Sequence, residues 1–283
     1  MKCSQKHRKY KNIFLWLITI LIAILIAIGL RVFVFALFSI PTPSMEPAIL
    51  SGDKVIVNKL IPGSRIIRNF FSLHKDEKPN IKRFKGYRAI RRNDILIFNF
   101  PYSNWNYLEM DMSVFYAKRC VAIPGDTFYI ENGIYKVKNC NDVLGNYEFQ
   151  FQFSQMEEEN IQPEVFRCFP YDFVYNWNVK SFGPIYIPQK GDTIWMDTKN
   201  HLLYRNLMQY ETGRREISDE IPFYVFQQNY YFMTGDYVFD SKDSRYWGLL
   251  PEDHIIGKVS FIWKSKDVWT GKLRWKRFFK AVK

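Results

Sequence analysis

The sequence lacks the residue patterns that mark most metal and nucleotide sites. Its four cysteines, Cys3, Cys120, Cys140 and Cys168, include no Cys-x-x-Cys pair, the spacing that many zinc and redox centres use. Its four histidines are scattered without ligand spacing, and no Walker-type glycine-rich loop is present. A metal cluster is therefore not expected. The sequence does not rule out a histidine as catalytic base, because the residues of a catalytic triad come together in space rather than in sequence.

Helix-turn-helix and zinc-finger patterns are also missing, although the chain carries a formal net charge of +12 over 283 residues. A charge of that size often indicates binding to nucleic acid. Here 18% of the residues are aromatic, and a surface that is both basic and aromatic suits the membrane interface equally well. We therefore expect no nucleic-acid partner.

An apolar segment near the N-terminus predicts a membrane anchor. Residues 13–30 contain no charge, and the first eleven residues carry five Lys or Arg and no acid. A helix over residues 13–30 spans about 27 Å, close to the hydrocarbon core of a bilayer, and residues 32–38 can extend it. A cleavable signal peptide is the alternative, but its apolar region is usually only about 7 to 15 residues. The positive-inside rule places the N-terminus in the cytoplasm and the rest of the chain outside.

Ser44 lies in a proline-rich turn, residues 40–47, that begins ten residues after the apolar run. Proline restricts its own backbone and that of the residue before it, so Pro43 and Pro47 should make this turn stiff. A serine hydroxyl held in this way is a nucleophile if one group takes its proton and another stabilises the oxyanion. Taken alone, the pattern is also typical of an ordinary loop.

Lys118 and Arg119 interrupt an apolar strand that we predict over residues 114–123. Desolvation of an ammonium group is unfavourable, so a lysine deep in such a strand is either paired or has a lowered pKa. A lowered pKa would make Lys118 a general base at neutral pH. Alternatively, the alternation of the strand puts Lys118 on a solvated face with a salt-bridge partner.

The middle of the chain changes in composition twice. Residues 62–92 carry ten Lys or Arg against two acids, which predicts either a solvated loop or a lid on anionic lipid headgroups. The pair Asn132-Gly133 is a strong hairpin signal. Residues 139–228 predict an inserted subdomain that is mostly β, without clear chemistry. In it, Cys140 and Cys168 form either a disulfide or two free thiols.

The C-terminal part has two notable segments. Residues 235–248 combine glycines, acids, serines and an arginine, a composition that favours a rigid, turn-rich wall of a site. The tail at 264–283 mixes aromatic and basic residues. It predicts either a segment lying in the membrane interface or a tail packed on the domain.

Four ordered blocks behind the anchor resemble type I signal peptidase, the membrane-anchored Ser/Lys endopeptidase that removes signal peptides from exported proteins. The blocks are residues 40–47 around Ser44, 52–59 (GDKVIVNK), 93–101 with 116–126 (NDILIFNFP and YAKRCVAIPGD), and 235–248 (GDYVFDSKDSRYWG). The combination and its order are specific to this family. Tyr237 and Val238 depart from the family pattern, since the family often has Asn-Arg at these positions. Asp240 and Cys120 depart from it as well.

The resemblance implies a role for each matching residue. Ser44 corresponds to the nucleophile that forms the acyl-enzyme, and Lys118 to its general base. Thr42 stands where the family places a serine whose hydroxyl completes the oxyanion hole with the N–H of Ser44. Ser241 corresponds to the serine that hydrogen-bonds and orients the lysine. The residues that brace the site are Asp236, Asp243 and Arg245, and those that line the pockets for small substrate side chains are Ile40, Met45, Ile49, Tyr116 and Ala117.

The resemblance also implies the architecture. We expect a mostly-β protein with an antiparallel catalytic core, an inserted smaller β subdomain and one preceding transmembrane helix. The expected boundaries are 1–11 for the cytoplasmic basic segment, 12–38 for the anchor, 39–126 and 233–264 for the core, 127–232 for the insertion and 265–283 for the tail.

The implied setting is the bacterial inner membrane, with the catalytic domain on its outer, periplasmic side. The expected partners are the signal peptides of preproteins and the lipid bilayer, with the secretion translocon as a further candidate. No metal or organic cofactor is implied. The alternatives are a related protein that only binds exported chains, and, more remotely, a self-cleaving repressor with the same dyad.

Overall fold

The computed structural model describes residues 2–69, 79–102, 107–218 and 221–282. Its first element is helix α1 (Lys2–Phe33), in which Asn12–Phe33 form an apolar stretch of 22 residues with none of its side chains buried. At 1.5 Å per residue this stretch is about 33 Å long, enough to span a bilayer. The expected anchor ran to residue 38, but the helix ends at Phe33 and the next residues form a strand.

The end of α1 is fixed to the domain by Lys59. Its ammonium donates to the carbonyls of Arg31 at 2.8 Å and Val32 at 3.2 Å, which are among the carbonyls that a helix leaves unpaired at its C-terminus. The ring of Phe33 also packs edge-on against Phe84, with centroids 5.9 Å apart. The apolar helix therefore leads directly into the sheet.

Most of the chain after α1 is antiparallel sheet, as the mostly-β expectation required. The strands are β1 Phe35–Ser39, β2 Asp53–Asn58, β3 Arg65–Ile67, β4 Ile81–Arg83, β5 Ile95–Asn99, β6 Phe115–Ala122, β7 Thr127–Glu131, β8 Ile134–Val137, β9 Phe182–Tyr186, β10 Thr193–Trp195, β11 Phe223–Val225, β12 Tyr230–Thr234, β13 Leu250–Pro251, β14 Ile255–Ser265 and β15 Lys280–Ala281.

Helices are fewer among the described residues. After α1 come α2 Tyr147–Ser154, α3 Pro163–Phe166, α4 Thr198–Thr212 and α5 Ser244–Trp247, with 3₁₀ turns at Glu158–Asn160, Glu252–His254 and Trp275–Arg277.

One large sheet carries the site. Its strand order is β1-β2-β14-β5-β6-β12-β13, and β15 pairs with β14. Although β1 and β6 are four strands apart in this order, the rings of Phe38 and Phe115 lie 5.2 Å apart. The sheet must therefore curl, because only a curl brings β1 across to β6. This curl places the turn after β1 beside the middle of β6.

Alternating burial explains why these segments form strands. In β2, Val55 and Val57 are fully buried while Lys54 is exposed, the period of two that a half-buried strand requires. In β5 all five residues are buried, so this strand is covered on both faces. A small core cluster that includes Ile40, Met45, Val55 and Ile97 lies beneath the turn after β1. A larger cluster joins β5, β6 and β12 to the insertion.

The insertion contains the predicted hairpin. Strands β7 and β8 pair directly around Asn132 and Gly133, whose φ angles of 48° and 76° are those of a two-residue type I′ turn. β9 joins on the other side of β7, and β10 pairs with β11. The helices here were not predicted. The longest, α4, begins at the cap Asp197, which accepts from the N–H of Asn200 at 2.7 Å.

The basic segment at 62–92 is anchored to the sheet in its described part. β3 and β4 form a hairpin, from which Arg65 donates to the carbonyl of Asp253 at 2.6 Å and Arg83 to those of Glu252 and Ile255. Burial, and then the neighbouring Arg83, lowers the pKa of Arg65 to about 9. Residues 70–78 lie outside the described residues, and the predicted contact with lipid headgroups stays a prediction.

The C-terminal tail packs on the domain. β15 pairs with β14, and Arg277 contacts the carboxylate of Asp53 at 2.6 Å. Large aromatic side chains nevertheless face outward, with Trp269 at 94% exposure, so the interfacial role stays a prediction. Of the two alternatives for Cys140 and Cys168, the structure has free thiols.

Candidate active site

The turn after β1 holds Ser44 in a closed loop. The N–H of Gly52 donates to the carbonyl of Ile40 at 2.8 Å, and within the turn the N–H of Glu46 donates to the carbonyl of Pro43 at 2.8 Å. These bonds close the stiff turn that the prolines predict. Ser44 itself is only 9% exposed. Its hydroxyl is thus held at a defined position at the edge of the small core cluster.

Lys118 comes from the middle of β6, where it pairs with Leu96 of β5. It is 3% exposed, so the solvated alternative is wrong. Its Nζ donates to the Oγ of Ser44 at 2.6 Å, although the two residues are 74 positions apart in the chain. The curl of the sheet therefore joins the two residues that the sequence analysis selected separately.

The surroundings of Lys118 favour its neutral amine. Burial, together with the positive charge of Arg245, lowers the pKa of this group from its ordinary value of 10.5 to about 8. The carboxylates of Asp243, Asp240 and Asp236 oppose this shift. At neutral pH the lysine therefore has an accessible neutral form, which can accept a proton from the hydroxyl that it contacts.

Ser44 is also held from the side of β12. The N–H of Tyr237 donates to the carbonyl of Ser44 at 3.1 Å. A Cβ atom at Gly235 would lie 2.6 Å from that carbonyl oxygen and would overlap the hydroxyl of Ser241. Only glycine permits so close an approach. The segment after β12 is therefore part of the wall of the site, as its composition predicts.

Ser241 lies in this wall but does not contact Lys118 by a hydrogen bond. Its hydroxyl is buried and has no hydrogen-bond partner among the described residues, while the ammonium of Lys118 donates to Ser44 instead. The orienting bond that the resemblance implies is thus not formed in this structure. The hydroxyl lies next to Gly235, and its role stays a prediction.

Two buried ion pairs brace the site. Arg245 binds both carboxylate oxygens of Asp243, at 2.8 and 2.9 Å, and Asp243 also accepts from the N–H of Gly235 at 3.0 Å. Burial alone would raise the pKa of Asp243, but Arg245 holds it below its ordinary value. Such bidentate pairs fix geometry as well as charge.

The second pair joins β6 to the segment after β12. Arg119 binds both oxygens of Asp236 at 2.6 Å and donates to the carbonyl of Asn93 at 2.8 Å. Sequence reasoning selected Asp236 but missed Arg119 as its partner. The signal was present, since Arg119 was the second charge in an apolar strand.

The two groups expected to stabilise an oxyanion belong to residues that line the cleft. Thr42 is exposed and lines it. Within the described part of the chain, the N–H of Ser44 donates no hydrogen bond. A hydroxyl and a free amide N–H are suitable donors for a developing negative charge.

A cleft of about 380 Å³ opens beside Ser44 and Lys118. Four of the five predicted pocket residues line it, namely Ile40, Met45, Tyr116 and Ala117. Ile49 does not, since it is fully buried in the small core cluster behind the cleft. Sequence reasoning missed the lining residues Phe38, Ser39, Ile97, Val114, Phe115, Asp240 and Lys242. The available signal for Val114 was its position two residues before Tyr116.

Among the described residues, no cluster of three or more His, Cys, Asp and Glu side chains is arranged to hold a metal ion.

Comparison with known proteins gives a consistent result. Residues 13–264 match the family described as "Signal peptidase, peptidase S26". The chain is 28% identical to Signal peptidase I of Buchnera aphidicola subsp. Acyrthosiphon pisum, over 92% of this chain and 78% of the relative. It is 28% identical to Signal peptidase I of Haemophilus influenzae, over 89% and 71%. For Signal peptidase I of Aquifex aeolicus the identity is 26%, over 89% and 84%.

Proposed function

The chain belongs to the signal peptidase family, peptidase S26, and from this membership we propose that it removes signal peptides from exported preproteins with a Ser44/Lys118 dyad. The observation that carries the proposal is the 2.6 Å contact between Lys118 Nζ and Ser44 Oγ in a buried position. An activated nucleophile needs a base within hydrogen-bond reach, and a lysine serves as that base only when it is neutral.

The first half of the reaction forms an ester. Neutral Lys118 takes the proton of the Ser44 hydroxyl, and the oxygen attacks the carbonyl carbon of the scissile peptide bond. The tetrahedral oxyanion accepts hydrogen bonds from the Thr42 hydroxyl and the Ser44 N–H. When the intermediate collapses, the C–N bond breaks and Lys118 returns the proton to the leaving amine. The mature protein then departs with a new N-terminus.

The second half releases the signal peptide. Lys118, neutral again, takes a proton from a water molecule, and the resulting hydroxide attacks the ester carbonyl of the acyl-enzyme. The same two donors, Thr42 and the Ser44 N–H, stabilise the second oxyanion. Collapse breaks the bond to Ser44 Oγ, which regains its proton from Lys118. The signal peptide leaves with a free carboxylate.

The cleft supports a preference for small side chains before the cut. Tyr116 and Ala117 of β6 line it together with Ile40, which follows β1, and with the buried Met45. A shallow, rigid pocket selects small residues mainly by excluding larger ones. We therefore expect cleavage after alanine-like residues.

The location follows from the anchor. Five basic residues precede the apolar stretch, which favours a cytoplasmic N-terminus and an outer position for the catalytic domain. In a bacterium this is the periplasmic face of the inner membrane, where signal peptides emerge. The proposed partners are accordingly preproteins and the bilayer, with the secretion translocon as a further candidate.

The test compares wild type, Ser44→Ala and Lys118→Ala in detergent on a preprotein whose signal ends in Ala-x-Ala, with the new N-terminus mapped by mass spectrometry. We expect cleavage after the second alanine by wild type and by the matched controls Ser113→Ala and Lys54→Ala, which remove an exposed hydroxyl and an exposed ammonium. Appreciable cleavage by either dyad variant would remove the assignment. If the wild type neither cleaves the preprotein nor reacts with an acylating probe, the result favours the alternative, a protein that only binds exported chains.

A further inference from the structure

A second groove lies next to the active-site cleft. It has a volume of about 360 Å³ and is lined by Glu164, Val165, Tyr171, Phe239, Asp240, Ser241, Lys242 and Tyr246. Asp240 and Lys242 line both the groove and the cleft. The segment 240–242 is therefore the shared rim of two adjoining depressions, and a chain crossing it passes from one to the other.

The groove is preformed. The hydroxyl of Tyr246 donates to the carbonyl of Val165 at 3.0 Å, which ties its two sides together. The ring of Phe239 packs edge-on against Phe149 and Phe153, at 6.1 and 5.6 Å between centroids. A binding site that needs no ordering on binding loses less conformational entropy.

The groove combines an apolar floor with a charged rim. Val165, Phe239 and Tyr246 are half-buried, while Tyr171 is 60% exposed. Three charged side chains, Glu164, Asp240 and Lys242, are exposed around them. Glu164 is the charged residue that lines the groove but not the cleft, so it can report on an occupant of the groove alone.

A bound peptide substrate extends from the cleft in two directions, one on each side of the scissile bond. The signal peptide comes from the bilayer, and α1 leads from the bilayer into β1, so the residues before the cut enter near Phe38 and Phe115. The scissile carbonyl lies at Ser44. The chain after the cut continues past Ser44 toward Asp240 and Lys242, where the second groove begins.

We propose that this groove binds the first residues of the mature segment of the same preprotein, so that Glu164 and Tyr171 help to determine which sequences after the cut are accepted. This inference rests on the proposed function and adds a second recognition surface to it. The occupant is an extended peptide, because the groove is continuous with a cleft that holds the peptide on its other side.

The test uses one preprotein in which Lys, Asp or Ala is placed in turn at each of the first four positions after the cut. For wild type and Glu164→Lys, the ratio of kcat/KM for the Lys substrate to that for the Asp substrate is measured at each position. Reversing an exposed charge near a substrate charge changes such a ratio by about threefold to tenfold at low salt. We expect Glu164→Lys to lower this ratio at one or two adjacent positions, and we expect added salt to weaken the effect.

The matched control is Glu159→Lys, which reverses another exposed carboxylate in the same insertion that does not line the groove. A second variant, Tyr171→Gly, removes the exposed ring at a residue whose φ of 63° suits glycine. It should lower kcat/KM for a substrate with leucine at the same positions, relative to one with alanine.

The outcomes separate this inference from the proposed function. Wild type that cleaves none of the substrates contradicts the proposed function. Wild type that cleaves them all, with ratios that neither Glu164→Lys nor Tyr171→Gly changes at any of the four positions, contradicts the groove alone. An equal change in Glu159→Lys would also overturn it, because the effect would then come from the net charge.

Discussion

If Lys118 is the base, as we propose, its burial makes the reaction sensitive to pH. Burial lowers the pKa of Lys118 to about 8, and only the neutral amine can accept the proton of Ser44. We predict that kcat/KM rises about tenfold per pH unit on the acidic side and levels off above about pH 8. Initial rates on one preprotein from about pH 6 to about pH 10 measure this profile. A flat profile would contradict a lysine base.

The burial of Lys118 should also lower the stability of the folded protein. Its pKa is about 8 in the folded chain and 10.5 ordinarily, so the protonated amine destabilises the fold below about pH 8, and the penalty disappears as the pH rises toward 10.5. We predict that Lys118→Met raises the free energy of unfolding at neutral pH by on the order of 1 to 3 kcal/mol while abolishing cleavage. Thermal unfolding at about pH 7 and about pH 10 tests it, and equal gains at both values would contradict the argument.

Thr42 provides a test of the oxyanion site. Valine has nearly the same shape as threonine but no hydroxyl. If the hydroxyl stabilises the transition state, Thr42→Val should lower kcat by about 10² to 10³ and leave KM nearly unchanged. Thr42→Ser keeps the donor and serves as the matched control. A Thr42→Val variant with normal kcat would show that the Ser44 N–H acts without it.

At the scale of single residues, the sequence indicated which residues form the site but not most of the contacts between them. Ser44 was selected because the prolines around it hold its hydroxyl in a stiff turn, Lys118 because a lysine is unusual in an apolar strand, and both because they match the family blocks. The partner of Asp236 and the bond from Tyr237 to the Ser44 carbonyl were missed. Both depend on which strand lies beside which, and that information is absent from local patterns.

Among the elements, the C-terminal tail supports the nucleophile turn. Arg277 contacts the fully buried carboxylate of Asp53 and donates to the carbonyl of Ala48 at 3.0 Å, and both partners lie in or next to the loop that follows Ser44. Removing one partner of such a pair leaves a buried charge without compensation. The tail therefore stabilises the turn that carries Ser44.

We predict that Arg277→Ala lowers the free energy of unfolding by about 2 to 5 kcal/mol and also lowers kcat. Chemical denaturation and initial rates on the same samples measure both. Lys276→Ala removes a neighbouring exposed charge and should change neither. Unchanged stability in Arg277→Ala would mean that the ion pair makes no net contribution.

The elements show where sequence patterns fail. The strand at β6 and the Asn132-Gly133 hairpin were predicted from apolar composition and turn chemistry, whereas β1 was wrongly expected to belong to the anchor. Helix α4 was not predicted, although Asp197 caps its start and Gly213 ends it in the left-handed region at φ 69°. Its buried face is built from Leu203, Tyr204, Leu207 and Met208, and the many Tyr, Asn and Gln around them masked the helical period.

For the whole molecule, the apolar helix and the sheet that carries Ser44 and Lys118 are separate elements. Ser44 and Lys118 both lie in the domain that follows α1, and α1 contacts it mainly through Lys59 and Phe33. We predict that deleting residues 1–33 releases the protein from membranes at alkaline pH but preserves cleavage of a short peptide in detergent. Sedimentation and peptide assays measure the two properties. Loss of folding in the deleted chain would show that the helix stabilises the sheet.

The architecture as a whole was predictable only through the resemblance. Composition indicated a membrane protein rich in strands, but not the order of those strands. The order depends on pairing between distant segments, such as β14 with both β2 and β5, and a single sequence has no local signal for it.

The position of β14 has a consequence for when the protein can act. This strand comes from the last tenth of the chain, yet it lies between β2, which follows the nucleophile turn, and β5, which pairs with the strand of the base. Because a chain is synthesised from its N-terminus, Ser44 and Lys118 are both present before the strand that links their halves of the sheet. The geometry that joins Ser44 to Lys118 therefore depends on a strand made near the end of synthesis, and we expect the two residues to come together only after that strand has formed.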